Sequence, residues 1–354
     1  MKTYRTLLIQ IVLFAVTLVT TSLAGAEWMF GRVFDLPFFK IKNPLGWEHF
    51  WKGFQFSLPF LGVLTVHEFG HYFTAKHHKV KVTLPFYIPL WFGFLQTIGT
   101  MGAFIRIKEV IRTRTKYFDI GVAGPLAGFI AAVGVLWYGF ANLPTLDYIF
   151  KIHPEYQKFG MGFARVVYTQ NLSGQILFGD NLLFWFFKTY IADPTRLPPP
   201  QEMMHYPWLL AGYLSLFFTS LNLIPIGQLD GGHVLYGLIG SKAHRKISPI
   251  LFFIFMNYAG LGFFKIEEFS VANDEIFWNK IGSLALYVLF LQWCFSRISD
   301  DNRLTSWTLA LASVALQLGL AVLYPTLEGY SGFLAFGFLL GRVLGVYHPP
   351  TEDR

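Results

Sequence analysis

Charged side chains are scarce in this chain, making up 14% of its 354 residues, where soluble proteins average about 25%. That deficit excludes an ordinary soluble domain. Cysteine is nearly absent too. The single Cys294 sits in the apolar run from Leu289 to Phe295, so neither a disulfide framework nor a multi-cysteine metal site can form. Any bound metal must take histidine and carboxylate ligands. Lys and Arg total 28 against 21 acids, a formal charge of +7, but the cations fall in short clusters between apolar runs. Such clusters suit anionic lipid headgroups, and no nucleic-acid partner is expected.

Apolar residues are abundant: 54% of the chain is hydrophobic, with 39 Phe, 17 Tyr and 10 Trp, and the mean hydropathy is +0.45. A spanning helix needs about 20 mostly apolar residues. Stretches free of Asp, Glu, Lys and Arg run over Thr6 to Ala26, Gly53 to His67, Val82 to Ile105, Ile120 to Leu146, Met203 to Leu229, Ile247 to Phe264, Ile281 to Ser296, Leu304 to Leu327 and Gly329 to Gly341. The third is broken by Pro85, Pro89, Gly93, Gly99 and Gly102 and reads as a re-entrant segment. The expected fold is therefore an all-α polytopic membrane protein of about eight transmembrane helices. Its expected divisions are an N-terminal helix and loop (1–52), a core (53–240) and C-terminal helices (241–354). Basic clusters from Lys76 to Lys116 and at Lys242, Arg245 and Lys246 place those two loops in the cytoplasm by the positive-inside rule. The stretch Pro144 to Tyr206 falls on the opposite side, and its aromatic run Leu182 to Phe187 is short for a span.

The stretch LTVHEFGHYFTAK holds His67, Glu68 and His71 in an HExxH pattern. On a helix, positions i and i+4 share a face, so both imidazoles can reach one Zn²⁺ while Glu68 stands beside them to take a proton from water. Two His and a Glu in an apolar segment are costly unless paired or liganded. A hydrolytic zinc usually takes three protein ligands, and candidates for the third compete. His77 has the spacing of the soluble HExxHxxGxxH enzymes, but Thr74 stands where that turn needs glycine. A Glu on another helix is possible in principle, although no span carries one away from its ends. Asp230, in FTSLNLIPIGQLDGGHVLYG, is a lone carboxylate in a long apolar run, with Pro225 and Gly227 loosening the helix before it. It is the ligand this reading favours.

HEFGH in one apolar span and NLIPIGQLDGG in a later one resemble the site-2 protease family of intramembrane zinc metalloproteases. The resemblance covers about Gly53 to Gly240, including GTMGAFIRI and GVAGPLAG, where Gly124 and Gly128 have GxxxG spacing. It implies that His67, His71 and Asp230 bind Zn²⁺, that Glu68 is the general base and that Asn222 hydrogen-bonds the substrate backbone or the developing oxyanion. It also implies a membrane-associated β-hairpin after the first metal motif, which Gln96 to Ile107 can supply. The expected activity is cleavage of transmembrane protein substrates within the lipid bilayer, in a bacterial-type cytoplasmic membrane with the site open to the cytoplasm. The competing reading is a divalent-metal transporter using the same His/Asp site. His233, three residues after Asp230, is a partner for that site, whereas His78, His205 and His244 read as interfacial and His348 as a tail residue.

Overall fold

The computed structural model describes residues 2–35, 43–93, 97–168, 178–269, 274–298, 302–349 and 351. The chain is mostly helical. Among the described residues, three helices are long and apolar enough to cross a membrane: Tyr4–Phe30, Arg114–Ala141 and Arg303–Leu323. The chain divides into two compact units, one made of Met1–Val110 and Ala123–Leu221, the other of Ile111–Val122 and Asn222–Arg354.

In the first unit, helix α1 (Lys2–Phe30) packs on α2 (Phe54–His77) through a small and polar seam. Gly25 lies so close to Phe56 that a Cβ there would fall 2.6 Å from its ring, and Thr21 and Ser57 share a buried hydroxyl contact of 2.5 Å. Small residues let helices approach, and a hydroxyl pair satisfies both partners where water is absent. Helix α2 ends where Lys79 adopts φ +60°, with Val80 N–H donating to Ala75 O at 2.8 Å. That left-handed turn closes the helix as glycine usually does.

A β-hairpin follows, formed by β1 (Phe86–Leu90) and β2 (Gly99–Phe104) in antiparallel register, with Tyr87 opposite Ala103 and Pro89 opposite Thr100. Of the two forms expected for this segment, re-entrant or β-hairpin, the structure shows the strand pair, because Pro89, Gly99 and Gly102 disfavour helix while the intervening residues suit strands. Gly102 makes no turn. At φ +105° it lies where two residues of β2 face one of β1, a bulge. Gln96, the expected start of this segment, lies outside the described residues. Helix α1 holds the hairpin through Thr20 Oγ1 to Gly99 O at 2.7 Å, Trp28 Nε1 to Thr97 O at 2.8 Å and Gln10 Nε2 to Leu84 O at 2.5 Å.

The first unit also contains most of α3 (Arg114–Ala141), the short helices α4 (Tyr148–Ile152), α5 (Phe163–Val167) and α6 (Leu182–Tyr190), and α7 (Pro207–Asn222) up to Leu221. Helices α3 and α7 meet where Gly212 faces Leu136 and Gly139 faces Leu209. Helix α6 carries the aromatic run. Its nine residues cover about 13 Å, too short to span, and it buries Phe184 and Phe187 while Leu182 and Trp185 are exposed.

The second unit is built on α8 (Asp230–Ala259), α9 (Asp274–Phe295), α10 (Arg303–Leu323) and α11 (Phe333–Leu339), around Phe252, Met256, Leu291 and Phe295. Buried amides link these helices: Gln317 accepts from Tyr287 OH at 3.1 Å and donates to Met256 O at 3.3 Å. Helix α8 breaks at Gly240 (φ +76°), against the Arg114 side chain. The apolar run Met203 to Leu229 is divided among the 3₁₀-helix Pro200–His205, the 16-residue α7 and the turn before α8. Several runs are shared between shorter helical pieces.

Candidate metal centre

His67 and His71 lie one turn apart on α2, 4% and 6% exposed, with their Nε2 atoms 3.1 Å apart. Two nitrogens bound at about 2.05 Å to one tetrahedral zinc lie about 3.3 Å apart, so the pair has the separation of neighbouring ligands on one ion. Glu68, also buried at 4%, is the adjoining residue. Thr65 Oγ1, one turn before it, contacts Tyr87 OH of β1 at 2.8 Å, so the hairpin is pinned beside this stretch of helix.

The helix can carry this face because its neighbour gives way. Gly70, inside HEFGH, would place a Cβ 2.6 Å from Ala123 O of α3. On α3, a Cβ at Gly124 would collide with His71 Nε2, and one at Gly128 would lie 3.0 Å from His67 Cβ. The glycines of GVAGPLAG therefore make the room in which both imidazoles stand. His77 is the last residue of α2, and among the described residues it joins no group of metal-ligating side chains. Six residues along a continuous helix separate it from His71 by about 9 Å of axial rise.

Asp230 belongs to the second unit, where it is the first residue of α8. The loosening expected from Pro225 and Gly227 is a full break: α7 ends at Asn222, and a turn with Gly227 at φ +59° precedes α8. Gly227 N donates to Ser248 Oγ at 2.9 Å, and Ser248 Oγ donates to Val346 O at 2.7 Å. Gly231 lets the turn fold back, since a Cβ there would meet the Leu223 carbonyl. The Asp230 carboxylate thus sits at a helix N-terminus, where the backbone dipole favours negative charge. Asn222 is half-buried.

His233, one turn after Asp230, donates from Nδ1 to His348 Nε2 at 2.7 Å. The proton placement follows from Pro349 O, which accepts from His348 Nδ1 at 2.7 Å and leaves the other ring nitrogen as acceptor. His348 stacks on Tyr236 with centroids 3.9 Å apart. Burial, together with the neighbouring His233, lowers its pKa to about 3. His348 is therefore a packed residue, 8% exposed, and His205 and His244 are likewise buried, at 4% and 1%. His205 and His244, expected at the interface, and His348, expected in the tail, are thus all covered by protein. No sequence signal pointed to His348, because its partners lie 115 residues away.

A family model described as peptidase family M50 matches residues 55–264, which contain both histidines, Glu68, Asn222 and Asp230. The chain belongs to peptidase family M50. This agrees with the site-2 protease resemblance. Among similar proteins, the probable zinc metalloprotease EGY1, chloroplastic, of Arabidopsis thaliana is 26% identical over 281 residues, covering 79% of this chain and 44% of the relative. EGY1 of Oryza sativa subsp. japonica is 30% identical over 200 residues, covering 53% and 30%, and EGY2 of Oryza sativa subsp. indica is 27% identical over 188, covering 53% and 30%. The chain thus spans less than half the length of these relatives. Their names label them chloroplastic, which lends no support to a bacterial-type cytoplasmic membrane. No solved structure matches.

Proposed function

We propose that this M50 protein is a zinc-dependent intramembrane endopeptidase in which His67, His71 and Asp230 hold the metal. The observation that carries the reading is the pair of buried Nε2 atoms 3.1 Å apart on α2, with Glu68 adjoining. Zinc, when bound there, supplies Lewis acidity to the scissile carbonyl and to the attacking water. Glu68 takes the proton from that water and delivers it to the leaving amine. The Asn222 amide donates to the substrate carbonyl, where charge develops. Asp230 offers a carboxylate from a helix start that tolerates its charge.

The substrates under this reading are membrane-spanning proteins, and the chain crosses the bilayer about eight times, with the site open to the cytoplasm. A helical substrate hides its peptide bonds, so it must unwind, and its freed N–H and C=O groups need partners in a medium without water. The outer edge of the two-stranded hairpin offers them. Membership of a peptidase family disfavours the transporter alternative. The deciding experiment pairs zinc analysis with cleavage of a model transmembrane peptide for wild type and Glu68→Gln. Retained zinc with lost cleavage supports the proposal. Undiminished cleavage, or zinc transport into liposomes without any cleavage, overturns it.

A further inference from the structure

Within the first unit, the 3₁₀-helix Pro200–His205 carries Glu202 and His205 three residues apart. In that geometry i and i+3 eclipse each other, so both side chains leave the same face, and both are buried, at 2% and 4% exposed. His153, at the junction of α4 and the 3₁₀-helix Pro154–Gly162, meets them. His153 Nε2 lies 3.2 Å from His205 Nε2, and Glu202 Oε2 lies 3.3 Å from His205 Nε2 and 4.0 Å from His153 Nε2.

The surrounding contacts decide what these three atoms present to one another. His205 Nδ1 is 2.6 Å from Met29 O; a carbonyl only accepts, so the proton is on Nδ1 and Nε2 presents a lone pair. His153 Nδ1 donates to the Glu155 carboxylate at 3.1 Å, which likewise leaves its Nε2 bare. Tyr168 OH donates to Glu202 Oε1, while Oε2 has no hydrogen-bond partner and almost no exposed surface. Three electron-rich atoms therefore converge with no proton assigned between them, an arrangement that repels unless a cation sits among them. Burial pushes the Glu202 carboxyl up to about 7 and holds the His205 imidazole down to about 4.

We propose that His153 Nε2, His205 Nε2 and Glu202 Oε2 form a second divalent-metal site, suited to zinc and separate from the HEFGH centre. Separations of 3.2 and 3.3 Å match neighbouring donors around a tetrahedral zinc, about 3.3 Å for bonds of about 2.05 Å. The 4.0 Å pair closes by a small rotation of His153, whose side chain is 26% exposed and forms the rim of the site. Each ligand has an outer partner that fixes its orientation, Met29 O, Glu155 and Tyr168, as metal-binding side chains usually do. The ion would tie the segment after α3 to the 3₁₀-helix before α7 and, through Met29, to the end of α1.

The test is zinc stoichiometry of the purified, detergent-solubilised full chain, dialysed against zinc and then freed of excess. Wild type is expected to hold two zinc ions and His67→Ala/His71→Ala one. Adding Glu202→Gln, which preserves shape, or His153→Gln, at the exposed rim, should reduce that one to none. Limited proteolysis of these variants checks that the fold persists. A His67→Ala/His71→Ala protein holding no zinc overturns the proposal, as does one whose zinc survives both Glu202→Gln and His153→Gln. A stabilisation of that protein that follows pH alone, with no metal bound, would assign the cluster to a shared proton and also overturns it.

Discussion

The two histidine clusters of the first unit are built in opposite ways. His67 and His71 share one helix and are brought together by its 3.6-residue period. His153 and His205 stand 52 residues apart and meet only because several short helical pieces converge. The first pair exists as soon as α2 forms and needs the rest of the unit mainly for space. The second needs the tertiary fold before any two of its ligands from different segments meet. Local geometry thus makes a site readable in the sequence, while assembled geometry hides one of the same chemistry.

Substitutions can set the two clusters against each other. The largest effect is expected at Glu68. Glu68→Gln should reduce cleavage of a transmembrane peptide by about 10²- to 10⁴-fold, the usual range for a lost general base, with the zinc content of both clusters unchanged. Asp230→Ala should come next, depleting the HEFGH zinc in elemental analysis and leaving the second ion in place. Zinc loss in His77→Ala but not in Asp230→Ala would instead assign the third ligand to His77. Gly124→Ala should be milder: its methyl pushes into the His71 ring, so we expect about 1–3 kcal/mol of overpacking and weaker zinc binding in titrations at the HEFGH pair only. Gly134→Ala is its control, because nothing lies within 4 Å of the added methyl. The smallest effect on either metal is expected from Ala103→Pro, in β2 opposite Tyr87. Cleavage of a helical substrate should fall while short extended peptides are cut nearly as before. Equal rates on both substrates would remove the strand-edge role.

What the sequence made legible follows the same division. HEFGH, the lone Asp230 and the helix-breaking Pro225 and Gly227 are local signals, and the structure keeps the expected pairing of His67 with His71 and the break before Asp230. The glycines of the hairpin were visible but their roles were not: Gly99 accommodates the close backbone of α1 at Thr21, and Gly102 makes a bulge. Hydropathy did not register that the run Met203 to Leu229 holds a 16-residue helix and a turn before Asp230 rather than one long helix. The EMMH stretch did hold a readable hint of the second cluster, a Glu and a His three residues apart, but without His153 that spacing is as common as any surface turn.

The hydroxyl of Ser248 has a consequence for the order in which the protein matures. It accepts from Gly227 in the turn before Asp230 and donates to Val346, 98 residues further along. A ribosome adding about 5–20 residues per second needs about 5–20 s to make those residues after Ser248 has emerged. Throughout that interval the turn leading into Asp230 lacks its distal clasp, whereas the HEFGH helix has long been synthesised. The nascent chain therefore holds the His67 and His71 pair early and clasps the turn leading into Asp230 only once Val346 has been made.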